Sequence, residues 1–133
     1  MNIGKLKINP YSGLLMVDIK IWNKNKKKLD RLPITVDTGA SVTTISTDVL
    51  FQAGYDVSSG RVVRITTASG IEYVKELIIQ KMKLDVVELD DVLVYAHTFP
   101  QESFSTGVLG LNVLSCFDVN IQFSKGLISL TKI

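Results

Sequence analysis

The sequence predicts a mostly β fold, a barrel or a sandwich, with one or two short helices. Segments rich in branched and aromatic residues recur at close spacing, turn residues separate them, and only two short stretches suit a helix. Helices do not alternate with strands, as a parallel βαβ sheet would require. The chain has 133 residues, of which 46% are hydrophobic and 21% charged, so we expect a single domain spanning residues 1–133.

The strand segments share alternating or continuous apolar character, and they are residues 14–22, 32–36, 61–67, 72–79, 82–87, 92–95, 117–123 and 127–130. A short helix is predicted over residues 47–53, with Ser46 or Thr47 as its cap and Gly54 ending it in a left-handed conformation. One or two further helical turns are predicted at residues 111–116.

Turn residues join these segments in order. The lysine-rich residues 23–28 connect the first two strands, and Ala68-Ser69-Gly70 makes a hairpin of the third and fourth. A polar loop covers residues 98–106, and Ser124-Lys125-Gly126 forms the turn between the last two strands. Short turns of this kind are typical of an all-β chain.

Composition excludes several kinds of site. The single cysteine cannot form an internal disulfide, and His97 is the only histidine, so no Cys/His zinc cluster exists. Any Ser–His–Asp or Cys–His mechanism would depend on His97 as its base. Asp85, Glu88, Asp90 and Asp91 lack the spacing and glycine of an EF-hand, so we interpret them as a solvated acidic turn. We predict no metal and no cofactor.

The net charge of +2 hides an asymmetry, because residues 1–33 contain eight basic and two acidic side chains. Much of the excess lies at Lys24, Lys26, Lys27 and Lys28. These lysines could bind nucleic acid, which predicts steeply salt-dependent binding. No aromatic residues interleave them, so we favour a solvated hairpin tip and no nucleic-acid partner.

The N-terminal segment has no long apolar stretch after its basic residues, and no uncharged run elsewhere is long enough to span a bilayer. We therefore expect no signal peptide, no membrane partner and a cytoplasmic location.

Two short motifs carry the chemistry. Asp37-Thr38-Gly39 follows directly on the second apolar strand, where a loop can present a carboxylate outside the core. Much later, Val108-Leu109-Gly110 precedes the second short helix. Either motif alone is weak evidence, because such tripeptides also arise by chance, but both occur in order and with apolar flanks.

With these motifs the chain resembles the retropepsin-like aspartic proteases, the fold of the retroviral protease and its bacterial and cellular relatives. The resemblance covers about residues 10–130 and includes the closing hairpin at residues 117–130. It implies a closed β-barrel of the acid-protease type. It also implies that the Asp-Thr-Gly loop crosses beneath a second loop, which is matched here by Val108, Leu109 and Gly110.

The same resemblance implies individual roles. Asp37 would be the catalytic carboxylate, Gly39 would contribute a backbone amide near it, and Thr38 would turn its hydroxyl towards the opposite loop. Ala40 would line the substrate groove. The hairpin at about residues 61–79 would be the flap, and the residues that close over the peptide would be Thr66, Thr67, Ala68, Ser69, Gly70 and Ile71. Gly70 is the only glycine of this tip, which is closer to the bacterial and cellular members than to the viral ones.

The chemistry requires a pair of carboxylates. Hydrolysing a peptide bond without a metal or covalent intermediate needs one group to take a proton from water and another to protonate the carbonyl oxygen. Two adjacent carboxylates do both because they share one proton. The chain has one Asp-Thr-Gly and no Asp-Ser-Gly. We therefore expect a homodimeric aspartic endopeptidase that acts on peptides or proteins and uses Asp37 from each chain. The resemblance further implies that terminal strands hold such dimers together, so the apolar tail, residues 127–133, could pair edge to edge.

Alternatives remain open. A non-catalytic peptide- or protein-binding module of the same fold would be a monomer, or a dimer whose Asp37 carboxylates stand too far apart to share a proton. Ser41, Thr43 and Thr44 are interpreted as hydroxyls that satisfy loop amides, and Asn112 as a structural residue that caps the helix or fixes the preceding loop.

Overall fold

The computed structural model describes residues 3–99 and 106–133, and its strands form two sheets. The strands are β1 (Ile3–Lys7), β2 (Met16–Asn23), β3 (Lys28–Val36), β4 (Thr44–Ser46), β5 (Arg61–Thr67), β6 (Gly70–Leu84), β7 (Val87–His97), β8 (Gly107–Leu109), β9 (Phe117–Gln122) and β10 (Leu127–Lys132). Two short α-helices, α1 (Thr47–Gln52) and α2 (Leu111–Leu114), lie between them, with single 3-10 turns at Val57–Ser59 and Phe123–Lys125.

Six strands close into a barrel in the order β2-β3-β8-β4-β7-β6, and β5 extends the sheet beyond β6. The closing seam between β2 and β6 consists of two residue pairs, Lys20↔Lys83 and Ile21↔Met82. Alternation places aliphatic side chains inside, among them Ile19, Ile34 and Leu109, which are at most 1% exposed. The prediction of a closed β-barrel with one or two short helices is confirmed.

A second sheet brings the two chain ends together in the order β1-β10-β9. Ile128 and Leu130 of β10 are fully buried, and Leu6 of β1 joins the same core. The apolar tail is thus a central strand, with β1 on one side and β9 on the other. The expectation that the tail pairs edge to edge with another chain is wrong for this arrangement, because its backbone groups already bond within the chain.

Several boundaries differ from the sequence prediction. Residues 72–79 and 82–87 belong largely to one long strand, β6, which continues through Gln80. The Gln80 N–H is directed to the Tyr55 hydroxyl at 3.3 Å, a tertiary bond that no local pattern indicates. Strands β1, β4 and β8 are not indicated by the sequence pattern, because they are short and are defined by their neighbours in the sheets.

Helix α1 begins where predicted, and Ser46 is its N-cap residue, but the Ser46 side chain makes no capping hydrogen bond. Gly54 follows the helix with a φ of +87°, the left-handed conformation expected of it. Residues 24–27 form the turn between β2 and β3, within the predicted connection at 23–28. Most of the predicted polar loop, residues 100–105, lies outside the described residues. Among those described, no helix is long and apolar enough to cross a membrane.

Candidate active site

Asp37 lies immediately after β3, at one end of the barrel. Strand β3 runs parallel to β8, with Thr35 opposite Val108 and Val36 opposite Leu109. This pairing continues one residue further, because the Asp37 N–H donates to the Leu109 carbonyl at 3.0 Å. The hydrogen bond fixes the end of the core strand, and Asp37 lies there half-buried, at the edge of the core.

The loop that follows fixes the Asp37 carboxyl group. The Gly39 N–H donates to Asp37 Oδ1 at 2.8 Å, and the Ala40 N–H donates to the Asp37 carbonyl at 3.2 Å. In such a turn the aspartate carboxylate accepts a hydrogen bond from the backbone N–H two residues ahead, which holds the side chain in one orientation. A Cβ at Gly39 would lie 3.1 Å from Asp37 Oδ1, so a glycine here leaves the carboxylate room.

The two motifs are joined by backbone hydrogen bonds. The Leu111 N–H donates to the Ala40 carbonyl at 2.8 Å, and the Asn112 N–H donates to the Ser41 carbonyl at 3.1 Å. Gly110 passes so close to the first loop that a Cβ there would lie 2.7 Å from the Val42 carbonyl carbon. The glycine that ends the second motif is therefore required by the packing of one loop on the other.

Beneath this contact lies a buried polar network around Thr43, which is fully buried. Its hydroxyl accepts from the Gly110 N–H at 3.0 Å and donates to Asn112 Oδ1 at 2.9 Å. Asn112 Oδ1 also accepts from the Thr43 N–H at 2.8 Å, while its amide nitrogen donates to the Leu93 carbonyl at 2.7 Å. The network ties the loop that follows Asp37 to α2 and to β7. Asn112 does not cap α2, whose N-cap residue is Gly110; its side chain fixes a loop, but this is the loop at Thr43 and not the one directly before the helix.

Thr38 and Gly39 are exposed, and Ala40 is partly buried, so this side of the loop faces outwards. Within the described part of its own chain the Thr38 hydroxyl has no hydrogen-bond partner. The Gly39 amide lies beside the Asp37 carboxylate. The role expected for Thr38 requires a second loop, and the role of Ala40 in lining a substrate groove likewise stays a prediction.

The predicted flap coincides with a real hairpin. Strands β5 and β6 pair from Arg61↔Glu76 to Thr67↔Gly70, and Ala68 and Ser69 form the turn. The Thr67 hydroxyl closes this tip by donating to the Gly70 carbonyl and accepting from the Ser69 N–H, both at 3.2 Å. Gly70 has a φ of +120°, which favours glycine. The flanking Thr66 and Ile71 are exposed, and contact of the tip with a peptide remains a prediction.

Across the described residues, no group of three or more His, Cys, Asp or Glu side chains is placed to hold a metal ion. Two of the acidic residues that follow β6 have other partners, one on β1 and one across the β6–β7 hairpin. Asp85 accepts from the Lys5 N–H at 2.9 Å, and Glu88 lies 3.4 Å from the Lys81 ammonium group.

Comparison with known proteins agrees with this geometry. The family profile described as "gag-polyprotein putative aspartyl protease" matches residues 25–116, which include both motifs. A crystal structure of a retropepsin-like aspartic protease from Rickettsia conorii superposes with a TM-score of 0.71 at 18% sequence identity, covering 97% of this chain and 91% of the other. No curated protein matches the chain. Because the profile spans well over half of the chain and the barrel has the same fold, the chain belongs to the retropepsin-like aspartic protease family.

Proposed function

We propose that the protein is an aspartic endopeptidase that acts as a homodimer, with the Asp37 carboxylates of two chains facing each other across a twofold axis. The observation that carries the proposal is the placement of Asp37. It stands at the end of a core strand, and its backbone and one of its carboxylate oxygens are held by hydrogen bonds to Leu109 and Gly39. A carboxylate fixed in this way meets the need for preorganised acid–base chemistry.

The reaction follows from two such groups sharing one proton. The ionised Asp37 takes a proton from water as the water oxygen attacks the scissile carbonyl carbon, and the protonated Asp37 gives its proton to the carbonyl oxygen. The Asp37 that took the proton from water then gives it to the leaving nitrogen, the other Asp37 takes a proton from a hydroxyl of the tetrahedral diol, and the C–N bond breaks, so the pair again holds one proton. The pair titrates as a unit, so its two apparent pKa values belong to the dyad.

Features of the single chain support a dimer. The chain supplies one Asp-Thr-Gly, and the outward side of this loop, Thr38 and Gly39, is exposed. Leu111 at the start of α2 is 42% exposed beside the same loop, to which its N–H is bonded. A second copy would cover this apolar and polar surface and supply the missing carboxylate.

The flap hairpin supports a peptide substrate. Ile71 and Tyr73 are two residues apart on β6, so they share one face of the hairpin, and they are 55% and 68% exposed. Exposed apolar side chains on a two-stranded hairpin are suited to cover an extended peptide and to exclude water from the reaction.

The decisive experiment replaces Asp37 with asparagine. We expect Asp37→Asn to lower cleavage of an unfolded protein substrate by about 10²–10⁴-fold or more, the usual contribution of an acid–base group, with an unchanged fold by circular dichroism. Asp56→Asn is the matched control. Asp56 is fully exposed and also accepts from the backbone two residues ahead, at Ser58 (3.1 Å), but it lies outside the motif.

Cleavage by Asp37→Asn at the wild-type rate would refute the assignment. Peptide binding without cleavage by the wild-type dimer would favour the non-catalytic module instead.

A further inference from the structure

A groove of about 250 Å³ lies outside the candidate active site, where β1 of the three-stranded sheet passes the closing seam of the barrel. The cations that line it are Lys5, Lys7, Lys20, Arg31 and Lys83, and its carboxylates are Asp18 and Asp85. The groove therefore has a net charge of +3.

The register of the sheet sets three of these cations side by side. Lys20 on β2 is directly opposite Arg31 on β3 and also directly opposite Lys83 on β6. Its sequence neighbours Ile19 and Ile21 are buried, so Lys20 points to the outer face. Like charges directly opposite each other destabilise a pair of strands. Here Lys20 and Lys83 form one of the two residue pairs of the seam, so their repulsion acts where the barrel closes.

Charges within the chain offset this repulsion only in part. Arg31 pairs with Asp18 at 2.8 Å, and one oxygen of Asp85 accepts the Lys5 backbone N–H at 2.9 Å. Among the described residues, no carboxylate lies within 4.0 Å of the ammonium groups of Lys20 or Lys83, nor of the other two lysines in the groove.

The other lysine-rich feature, the hairpin tip at residues 23–28, is different. Lys26 and Lys28 approach Asp30 at 3.9 and 3.7 Å, and Lys24 lies over the Tyr55 ring at 5.1 Å. Three of the four tip lysines thus have a partner among the described residues, whereas the groove lysines line an open groove.

From this arrangement we propose that the groove binds a small oxyanion with two or more negative charges, of the phosphate or pyrophosphate type. Such an anion bridges Lys20 and Lys83, replaces repulsion across the seam by attraction, and is reached by Lys5 and Lys7 from β1. The groove holds the volume of several water molecules, which suits a small anion. Because the anion binds the folded state and not the unfolded chain, the free energy of unfolding increases with the anion concentration.

The test uses pyrophosphate as the probe, with isothermal titration calorimetry in a phosphate-free, low-salt buffer. We expect saturable binding at one site per chain in the millimolar range or tighter. Replacing both seam lysines (Lys20→Gln with Lys83→Gln) should weaken it about 25-fold, since an exposed charge at contact distance contributes roughly a factor of five. The matched control, Lys26→Gln with Lys27→Gln, removes the same charge from the hairpin tip and should change binding by less than about twofold.

Thermal unfolding without pyrophosphate provides a second readout. The seam variant should unfold at the same temperature as the wild type or higher, because a repulsion is relieved, and pyrophosphate should raise the midpoint of the wild type but not of this variant. Sodium chloride at equal ionic strength should not reproduce the increase. The proposal is overturned by non-saturating titration, by equal losses in the two double variants, or by binding of a single-stranded oligonucleotide when pyrophosphate does not bind.

Discussion

Replacing Thr43 with valine is expected to destabilise the protein by about 2 kcal/mol, although valine has the same shape. The substitution removes the acceptor of the buried Gly110 N–H. A buried donor left without a partner costs about 1–3 kcal/mol. Asn112 Oδ1 loses the hydroxyl donor but keeps the Thr43 N–H at 2.8 Å, so the penalty on that side is small. Valine also leaves no cavity, which assigns the loss to the hydrogen bonds.

Thr35 on β3 provides the matched control. Its hydroxyl oxygen is buried and has no hydrogen-bond partner in the described structure. Thr35→Val should therefore leave the stability unchanged or raise it by up to about 1 kcal/mol, because a polar atom without a partner is removed from the interior.

Urea unfolding of the two variants and the wild type, at one protomer concentration, measures both effects. Equal protomer concentrations are needed because the proposed dimerisation would contribute to apparent stability. The slope against urea should stay constant, so that the shift in midpoint reports stability. Equal losses in the two variants, or a loss below about 0.5 kcal/mol for Thr43→Val, would refute the reasoning from hydrogen-bond satisfaction.

Two further substitutions test the close approach of the two loops and the hydrogen bonds of the Tyr55 hydroxyl. Gly110→Ala should cost about 3 kcal/mol or more in the same urea assay, since its Cβ would lie 2.7 Å from the Val42 backbone; a neutral result would contradict the close approach of the two loops. Tyr55→Phe should cost about 1–2 kcal/mol near neutral pH, because the hydroxyl donates to the Trp22 carbonyl at 2.8 Å and accepts from Gln80. Burial raises the pKa of Tyr55 above 10.0, so its stabilisation is complete below that pH and is lost as the pH rises through the folded-state pKa. The wild type should lose more stability than Tyr55→Phe in alkaline urea titrations, and parallel pH profiles would contradict this.

The barrel could be predicted from the sequence because most of its strands carry their own signal. Alternating burial along most of β2 follows the apolar pattern of the residues themselves. The place of each strand in the barrel was harder to predict. Strand β4, for example, is three residues long and is a strand only because it pairs with β7 and β8. The sequence also predicts the tail, residues 127–133, as a free edge, because its partner β1 has too little apolar character to be predicted as a strand.

The candidate active-site loop could be proposed from the sequence because Asp37-Thr38-Gly39 is contiguous. The residues that support this loop could not be predicted in the same way. Thr43 and Asn112 are 69 positions apart, and each is an ordinary polar residue until the fold brings them together. The seam of Lys20 and Lys83 likewise follows only from strand register, which the positions of the two lysines in the sequence do not reveal.

The separation of the two Asp37 carboxylates in a crystal structure of the protein tests the central proposal most directly. We predict a twofold dimer in which carboxylate oxygens of the two chains approach to about 3 Å, close enough to share a proton. A monomer, or a dimer that holds these carboxylates more than about 6 Å apart, would contradict the two-carboxylate mechanism.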